Sequence, residues 1–218
     1  RYVLRLLSGA VNEVGWEVSA NESVIRAQQR VDLLASACHF EYVNCLENAV
    51  RMYANWMLAP NPDSYNEINV DLRGIVYCVG VRAGGLREWQ FAHARLAAAS
   101  ASERHRLLSV LGCTTAPHLL HRYLELSLRN DSGIRKQDVV RVFSAVAGTA
   151  IGQPIAFNFV RANWLKLRNL FVTESCSDLG RPVQQVLETV AANVQWRERN
   201  YQAIVGWLLE HDRSTNTS

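Results

Sequence analysis

Apolar residues recur at spacings of three and four along most of this 218-residue chain. That spacing gathers apolar side chains on one face of an α-helix, whereas a half-buried strand requires strict alternation. Only five prolines and twelve glycines interrupt the pattern. The sequence therefore predicts an all-α protein with about ten helices of roughly 9–18 residues. The clearest apolar stripes run through Val24, Ala27, Val31, Leu34 and Cys38, through Cys45, Ala49, Met52 and Trp56, through Val139, Val142, Phe143 and Val146, and through Val183, Val186, Leu187, Val190 and Val194.

Capping residues and helix breakers mark where several helices begin and end. The segments 64–67 (SYNE) and 100–103 (SASE) fit the capping box, in which a hydroxyl accepts from an early backbone N–H and Glu reaches back. Pro117 and Pro154 are predicted to lie at helix starts, where the missing N–H costs nothing. The predicted breaks are residues 84–85 and 130–133. Such a series of helices fits either an open HEAT/armadillo-like α-solenoid of antiparallel helix pairs or a globular bundle.

Charged residues are spread along the chain and do not cluster. They make up 20% of the residues and leave a net charge of +3, which predicts a solvated surface and no nucleic-acid partner. The most apolar window, residues 139–160, contains Arg141 and Pro154, so no transmembrane segment is predicted in this chain. Residues 1–7 lack the features of a signal peptide and resemble the middle of a helix. Residues 1–218 are predicted to form a single helical domain.

Five cysteines are present: Cys38, Cys45, Cys78, Cys113 and Cys176. The first two lie near a predicted helix end and the next helix start, and the next two are separated by about one helical hairpin. Disulfides there would each contribute ~2–4 kcal/mol in an oxidising compartment. Five free thiols in a cytosolic protein are the alternative, and the residues alone leave both open. Zinc ligation is not favoured because C-x₂-C and C-x₄-C spacings are absent.

Three N-x-[ST] sequons lie in predicted loops or at the chain end, where a glycan would be tolerated. Their asparagines are candidate glycosylation sites: Asn21, Asn130 and Asn216.

Motifs that carry catalytic chemistry are missing from the sequence. It contains no H-E-x-x-H, no G-x-S-x-G, no phosphate-binding glycine loop and no Rossmann fingerprint. His118, His121 and Glu125 share one predicted helical face, but histidines are common on helix faces, and no metal site is predicted there. The six tryptophans are expected to pack mostly between helices in the core.

Several short segments together resemble one enzyme family. In chain order they are DLRGIVYC at 71–78, GGLREWQF at 84–91, LLHRYL at 119–124, IRKQD at 134–138, IGQ at 151–153, FVRANW at 159–164 and ANVQW at 192–196. This ordered set resembles the C-terminal helical domain of zinc aminopeptidases of the aminopeptidase N family. The resemblance implies disulfides Cys38–Cys45 and Cys78–Cys113, which leaves Cys176 without a partner. It also implies a bowl of HEAT-like helix pairs that caps an active-site chamber.

The resemblance further implies a parent enzyme that is extracellular, often membrane-anchored, and built of four domains. Zinc and the general base would come from an H-E-x-x-H helix in an earlier domain, so that no cofactor is bound by this chain. The expected partners are that catalytic domain, peptide substrates and, as a further possibility, a second copy of the protein. Between about 169 and 180 the chain is shorter than the family pattern by roughly two helix pairs, which implies a missing segment near 170–180.

Candidate peptide-contact residues follow from the IRKQD segment, which is predicted to open a helix at the chamber mouth. Arg135, Gln137 and Asp138 are the candidates, and Arg135 is suited to a peptide carboxylate. The alternative is that these residues form an interhelical salt bridge or a helix cap. Two other functions remain open: an ectodomain module for dimerisation or receptor binding, and an unrelated cytosolic HEAT-like scaffold with free thiols. An exposed apolar patch would favour the first.

Overall fold

The structure is a computed structural model that describes residues 2–19, 21–167, 192 and 195–210. These residues divide into two compact units. The larger unit comprises residues 3–162, and the smaller one contains residue 2 and the described residues from 163 onward. Two predictions, the apolar stripe at 183–194 and the shortened segment near 170–180, lie outside the described residues, and Cys176 does too.

All regular secondary structure in the described part of the chain is helical, which confirms the predicted all-α class. The α-helices are α1 (Tyr2–Val14), α2 (Val24–His39), α3 (Val43–Leu58), α4 (Arg73–Ala83), α5 (Leu86–Ala94), α6 (Ala101–Val110), α7 (Pro117–Ser127), α8 (Val139–Ala147) and α9 (Gly152–Ala162). Short 3-10 turns, Leu111–Cys113 and Lys136–Asp138, precede α7 and α8. In the smaller unit, residues 195–210 are helical.

Two of the predicted helix starts are confirmed, although the Glu103 carboxylate at the start of α6 bonds with Tyr77 and Arg106 and does not complete the predicted capping box. Ser100 caps α6, because its hydroxyl accepts from the backbone N–H of Glu103 at 3.4 Å, and Pro117 is the first residue of α7. The helix start predicted at 64–67 is wrong, since α4 begins only at Arg73. There the side chain of Asn66 accepts from the N–H of Ile68 at 3.0 Å. This local hydrogen bond competes with a helical turn and favours a loop.

Helices of the larger unit contact one another in a regular order. α2 contacts α4, α4 contacts α6, and α6 contacts α8, while neighbours in the chain such as α3 and α4 also pack together. Their buried faces form one apolar cluster. Trp56 stacks on Tyr77 with ring centroids 4.4 Å apart, and Trp89 is 1% exposed. Core placement is wrong for three tryptophans of the smaller unit, which lie outside this cluster and are exposed: Trp164, Trp196 and Trp207.

Two disulfides connect helices within the larger unit. Cys38 near the end of α2 is bonded to Cys45 in the first turn of α3. Cys78 in α4 is bonded to Cys113, the last residue of the 3-10 turn before α7. Both predicted pairings are therefore confirmed, and each bridge joins segments that also pack through apolar side chains.

Helices with the length and hydropathy needed to cross a bilayer do not occur among the described residues.

Candidate functional site

The IRKQD segment forms the turn that leads into α8. Its 3-10 turn spans Lys136–Asp138 and is followed directly by α8. Ile134 and Asp138 are buried, whereas the three residues between them, Arg135, Lys136 and Gln137, are exposed. Only the first two of the three candidate contact residues are therefore available to a ligand in this conformation.

Asp138 forms a buried ion pair with Arg104 of α6. The Nε of Arg104 donates to Oδ2 of Asp138 at 3.1 Å, and the side chains are 6% and 5% exposed. The same guanidinium donates to the carbonyl of Leu96 at 2.6 Å and to the carbonyl of Gly133. The Arg104 side chain thus connects α6, the loop after α5, and residues 133 and 138, which are the two ends of the turn before α8. For Asp138, this arrangement corresponds to the interhelical salt bridge that the sequence offered as the alternative.

Local hydrogen bonds shape the same turn from its own residues. The hydroxyl of Ser132 donates to the carbonyl of Arg129 at 2.9 Å and accepts from the N–H of Ile134 at 3.2 Å. Gly133 has a φ of +74°, in the left-handed region that residues other than glycine rarely adopt. The N–H of Asp138 donates to the carbonyl of Arg135 at 2.9 Å. The exposed Arg135 therefore projects from a well-specified backbone.

A second polar network surrounds Glu103 at the start of α6. The hydroxyl of Tyr77 donates to Oε1 of Glu103 at 2.6 Å, and the amide of Asn66 donates to the Tyr77 oxygen at 2.6 Å. Nη1 of Arg73 lies 3.4 Å from Oε2 of Glu103, and Arg106 forms a second ion pair with Glu103. Burial, and next the hydrogen bond with Glu103, raise the pKa of the Tyr77 hydroxyl above its usual value. Tyr77 therefore stays neutral and acts as a structural donor.

The two motif segments 71–78 and 84–91 meet around Tyr53 of α3. Its hydroxyl donates to the carbonyl of Glu88 at 2.9 Å, and the Glu88 carboxylate accepts from the N–H of Gly85 at 2.8 Å, capping α5. A shallow hollow of about 270 Å³ lies beside these residues, with Val50, Met57 and the backbone of 83–85 among its walls. Val50 of α3, which is among the residues that line the hollow, is exposed.

A zinc centre does not fit the residues that the structure describes. His121 Nδ1 lies 3.7 Å from Glu125 Oε1, but both side chains are more than half exposed. Among the described positions, no three His, Cys, Asp or Glu side chains converge as metal ligands require. No chemical step is therefore assigned to a metal held by this part of the chain.

The predicted glycosylation sites lie in loops where the structure describes them. Asn21 precedes α2 and Asn130 lies between α7 and α8, and both side chains are exposed. The third candidate, Asn216, lies outside the described residues.

Sequence reasoning missed the residue that connects the most segments at this site, Arg104. It is 34 positions from Asp138, and an arginine among many on helical faces carries no local signal. One signal was present: Arg104 lies at a helical position whose neighbours three and four residues further on, Leu107 and Leu108, are apolar and buried. A charged residue on an apolar face requires a buried partner.

Known proteins resemble this chain over most of its length. A family model described as "ERAP1-like C-terminal domain" matches residues 1–217. Aminopeptidase N of Bos taurus is 31% identical, over 87% of this chain and 23% of its own length. Aminopeptidase N of Homo sapiens is 28% identical, over 88% and 23%. The thyrotropin-releasing hormone-degrading ectoenzyme of Rattus norvegicus is 27% identical, over 95% and 22%.

The chain thus spans less than a quarter of the length of these curated relatives. The family match covers nearly all of it, and the two disulfides are those that the family resemblance implied. This chain belongs to the ERAP1-like C-terminal domain family.

Proposed function

We propose that this chain acts as the C-terminal domain of an extracellular zinc aminopeptidase that removes N-terminal residues from peptides. The family match over residues 1–217 carries this proposal. The names of the relatives, aminopeptidase N and an ectoenzyme, support the activity and the extracellular location. Zinc and the catalytic base belong, in this proposal, to another part of the parent polypeptide. The two disulfides also support an oxidising compartment and argue against a cytosolic scaffold with free thiols.

The domain's role is to cap the active-site chamber with a HEAT-like stack of antiparallel helix pairs. The order of contacts supports such a stack, because alternate helices α2, α4, α6 and α8 contact each other in sequence. A solenoid of this kind offers a concave surface built from one helix of each pair. That surface would exclude folded proteins from the chamber and line the path of the peptide tail.

Arg135 and Gln137 are the proposed contacts to that tail. Both are exposed on the turn before α8, and the Arg135 guanidinium can bind a carboxylate through two parallel hydrogen bonds. Asp138 holds the turn that carries Arg135 and Gln137. It does not contact the substrate in this proposal, because it is buried against Arg104.

The test is an Arg135→Ala variant of the parent polypeptide, assayed with peptides that end in a free carboxylate or an amide. Loss of one charge-assisted contact of ~1.5 kcal/mol raises KM for the carboxylate peptides by about tenfold. Amidated peptides and kcat should change little. Arg51→Ala is the matched control, since Arg51 is also exposed and bonds to nearby Asn48 in its own helix. Unchanged KM for every peptide would remove the proposed contact.

An interaction surface is the second candidate function, and the outward face of α3 favours it. Val43, Val50 and Leu58 are 64%, 39% and 74% exposed along this helix, beside the hollow near Tyr53. Exposed apolar stripes of this kind are typical of association sites. Sedimentation of the parent polypeptide and of its Val50→Lys variant tests homodimer formation through this face: a dimer that the variant loses supports it, and a monomer in both rejects it.

Glycosylation at Asn21 and Asn130 completes the proposal. Both asparagines are exposed in loops, so a glycan at either position leaves the helices intact. Enzymatic removal of N-glycans, followed by mass spectrometry, should convert both asparagines to aspartate. Retention of unmodified Asn at both positions would contradict this assignment.

A further inference from the structure

The buried pair of Arg104 and Asp138 has a consequence for how the exposed turn is presented. We infer that Arg104 is a positioning residue, which holds the turn at 133–138 in a single shape so that Arg135 and Gln137 project from fixed backbone positions. The positioning role follows from the contacts of Arg104 alone. Only the identity of what Arg135 meets, a peptide carboxylate, rests on the proposed function.

The contacts of Arg104 reach both ends of the turn and a third segment. Arg104 Nε donates to Asp138 at 3.1 Å, and its two terminal nitrogens donate to the carbonyls of Leu96 and Gly133. Gly133 and Asp138 lie at the two ends of the turn, whereas Leu96 lies in the loop before α6. The planar guanidinium therefore connects both ends of the turn to a third segment, the loop before α6.

The ion pair between Arg104 and Asp138 is buried, which limits its net energetic gain. Both side chains are almost fully buried, at 6% and 5% exposed. Removing two charges from water largely offsets their attraction, and apolar residues of similar volume often stabilise a protein as well or better. A pair of this kind contributes little as a source of stability. Its distinguishing property is directional, because it specifies where three acceptors lie.

The turn that Arg104 and Asp138 hold carries exposed polar side chains. Between Ile134 and Asp138, which point into the protein, Arg135 and Gln137 point to solvent. An exposed arginine on a mobile loop loses side-chain and backbone freedom when it binds a carboxylate, and this loss weakens binding. A backbone fixed beforehand removes most of that loss. The ion pair therefore fixes the backbone from which Arg135 and Gln137 project before any ligand binds.

Hydrogen exchange tests the positioning role without reference to activity. Arg104→Lys keeps the charge but replaces the five-donor fork, and the double variant Arg104→Met/Asp138→Leu keeps the volume without any donor. In the folded parent polypeptide, both should speed exchange of the amides of Ile134 and Asp138 by at least about tenfold. Arg129→Lys is the control, because Arg129 on the same loop forms an exposed pair with Asp131. Native exchange rates in Arg104→Lys, or in the folded double variant, would overturn the inference.

Kinetics then separates the positioning role from the peptide contact. Arg104→Lys should raise KM for carboxylate peptides in the same direction as Arg135→Ala, while kcat stays unchanged; a merely structural defect would lower the active fraction and hence kcat. Faster exchange in Arg104→Lys, with unchanged KM in Arg135→Ala, would reject the peptide contact and support the positioning role. Exchange at the native rate in Arg104→Lys, with a raised KM in Arg135→Ala, would reject the positioning role and support the peptide contact.

Discussion

The two disulfides should contribute unequally to the unfolding free energy, because they close chain loops of different length. Cys78–Cys113 has a sequence separation of 35, and Cys38–Cys45 has a separation of 7. The loop-entropy relation gives about 3.8 kcal/mol for the longer loop and about 2.4 kcal/mol for the shorter one at room temperature. The expected difference of ~1.4 kcal/mol is tenfold in the folding equilibrium constant.

Packing must be kept constant for this comparison, since Cys38 and Cys45 are 2% and 0% exposed whereas the other pair is partly exposed. One variant therefore retains only Cys78–Cys113 and carries Ala at 38 and 45, and the second retains only Cys38–Cys45 and carries Ala at 78 and 113. Cys176→Ser in both prevents thiol exchange. Each is unfolded in urea in its oxidised and its reduced form.

The difference in unfolding free energy between oxidised and reduced forms is the contribution of the retained bridge. Two-state transitions with equal slopes are required for the comparison. We expect the larger loss on reduction in the variant that retains Cys78–Cys113. Equal losses, or a larger loss for Cys38–Cys45, would refute the loop-entropy reasoning for this fold.

Three further perturbations test other parts of the structure. Burial, and next the charge of Arg122, lowers the pKa of His93 from its ordinary value of 6.5. The unfolded chain therefore binds more protons, and the unfolding free energy should fall as pH drops below 6.5. His93→Asn should flatten this pH dependence, whereas replacement of the exposed His105 should not, and equal slopes in both variants would contradict the assignment. Gly80→Ala should lower the unfolding free energy by about 1–3 kcal/mol, because the added Cβ would overlap the buried ring of Tyr53. Gly74→Ala in the same helix meets no atom and should be neutral or stabilising. Similar thermal unfolding midpoints for the two variants would show that α4 shifts to accommodate the added group. Tyr77→Phe should lower the free energy of urea unfolding by about 1–3 kcal/mol, because Glu103 and Asn66 both lose a hydrogen-bond partner. Tyr65→Phe removes an exposed hydrogen bond to Glu67 and should lower that free energy by less than about 0.5 kcal/mol. An equal effect of the two variants would show that the Tyr77 hydroxyl does not belong to a buried network.

Helical class and several helix limits were predictable from the residues, because they depend on neighbours three and four positions apart. The stripe through Cys45, Ala49 and Trp56 is buried in α3 as its spacing predicted, and Ser100 and Pro117 mark helix starts. Local patterns also compete, and this competition explains the wrong start at 64–67. There the side-chain oxygen of Asn66 accepts a hydrogen bond from the backbone N–H of Ile68, and the chain continues as a loop.

The arrangement of the candidate site was decided by tertiary packing. Arg135, Gln137 and Asp138 are near neighbours in sequence, and their motif marked the segment, but it did not distinguish the exposed side chains from the buried one. That distinction depends on Arg104, which reaches Asp138 only because α6 packs against α8. Tyr77 and Glu103 likewise meet because α4 packs against α6. Helical periodicity is a property of adjacent turns, whereas a buried charge finds its partner only after helices distant in sequence have come together.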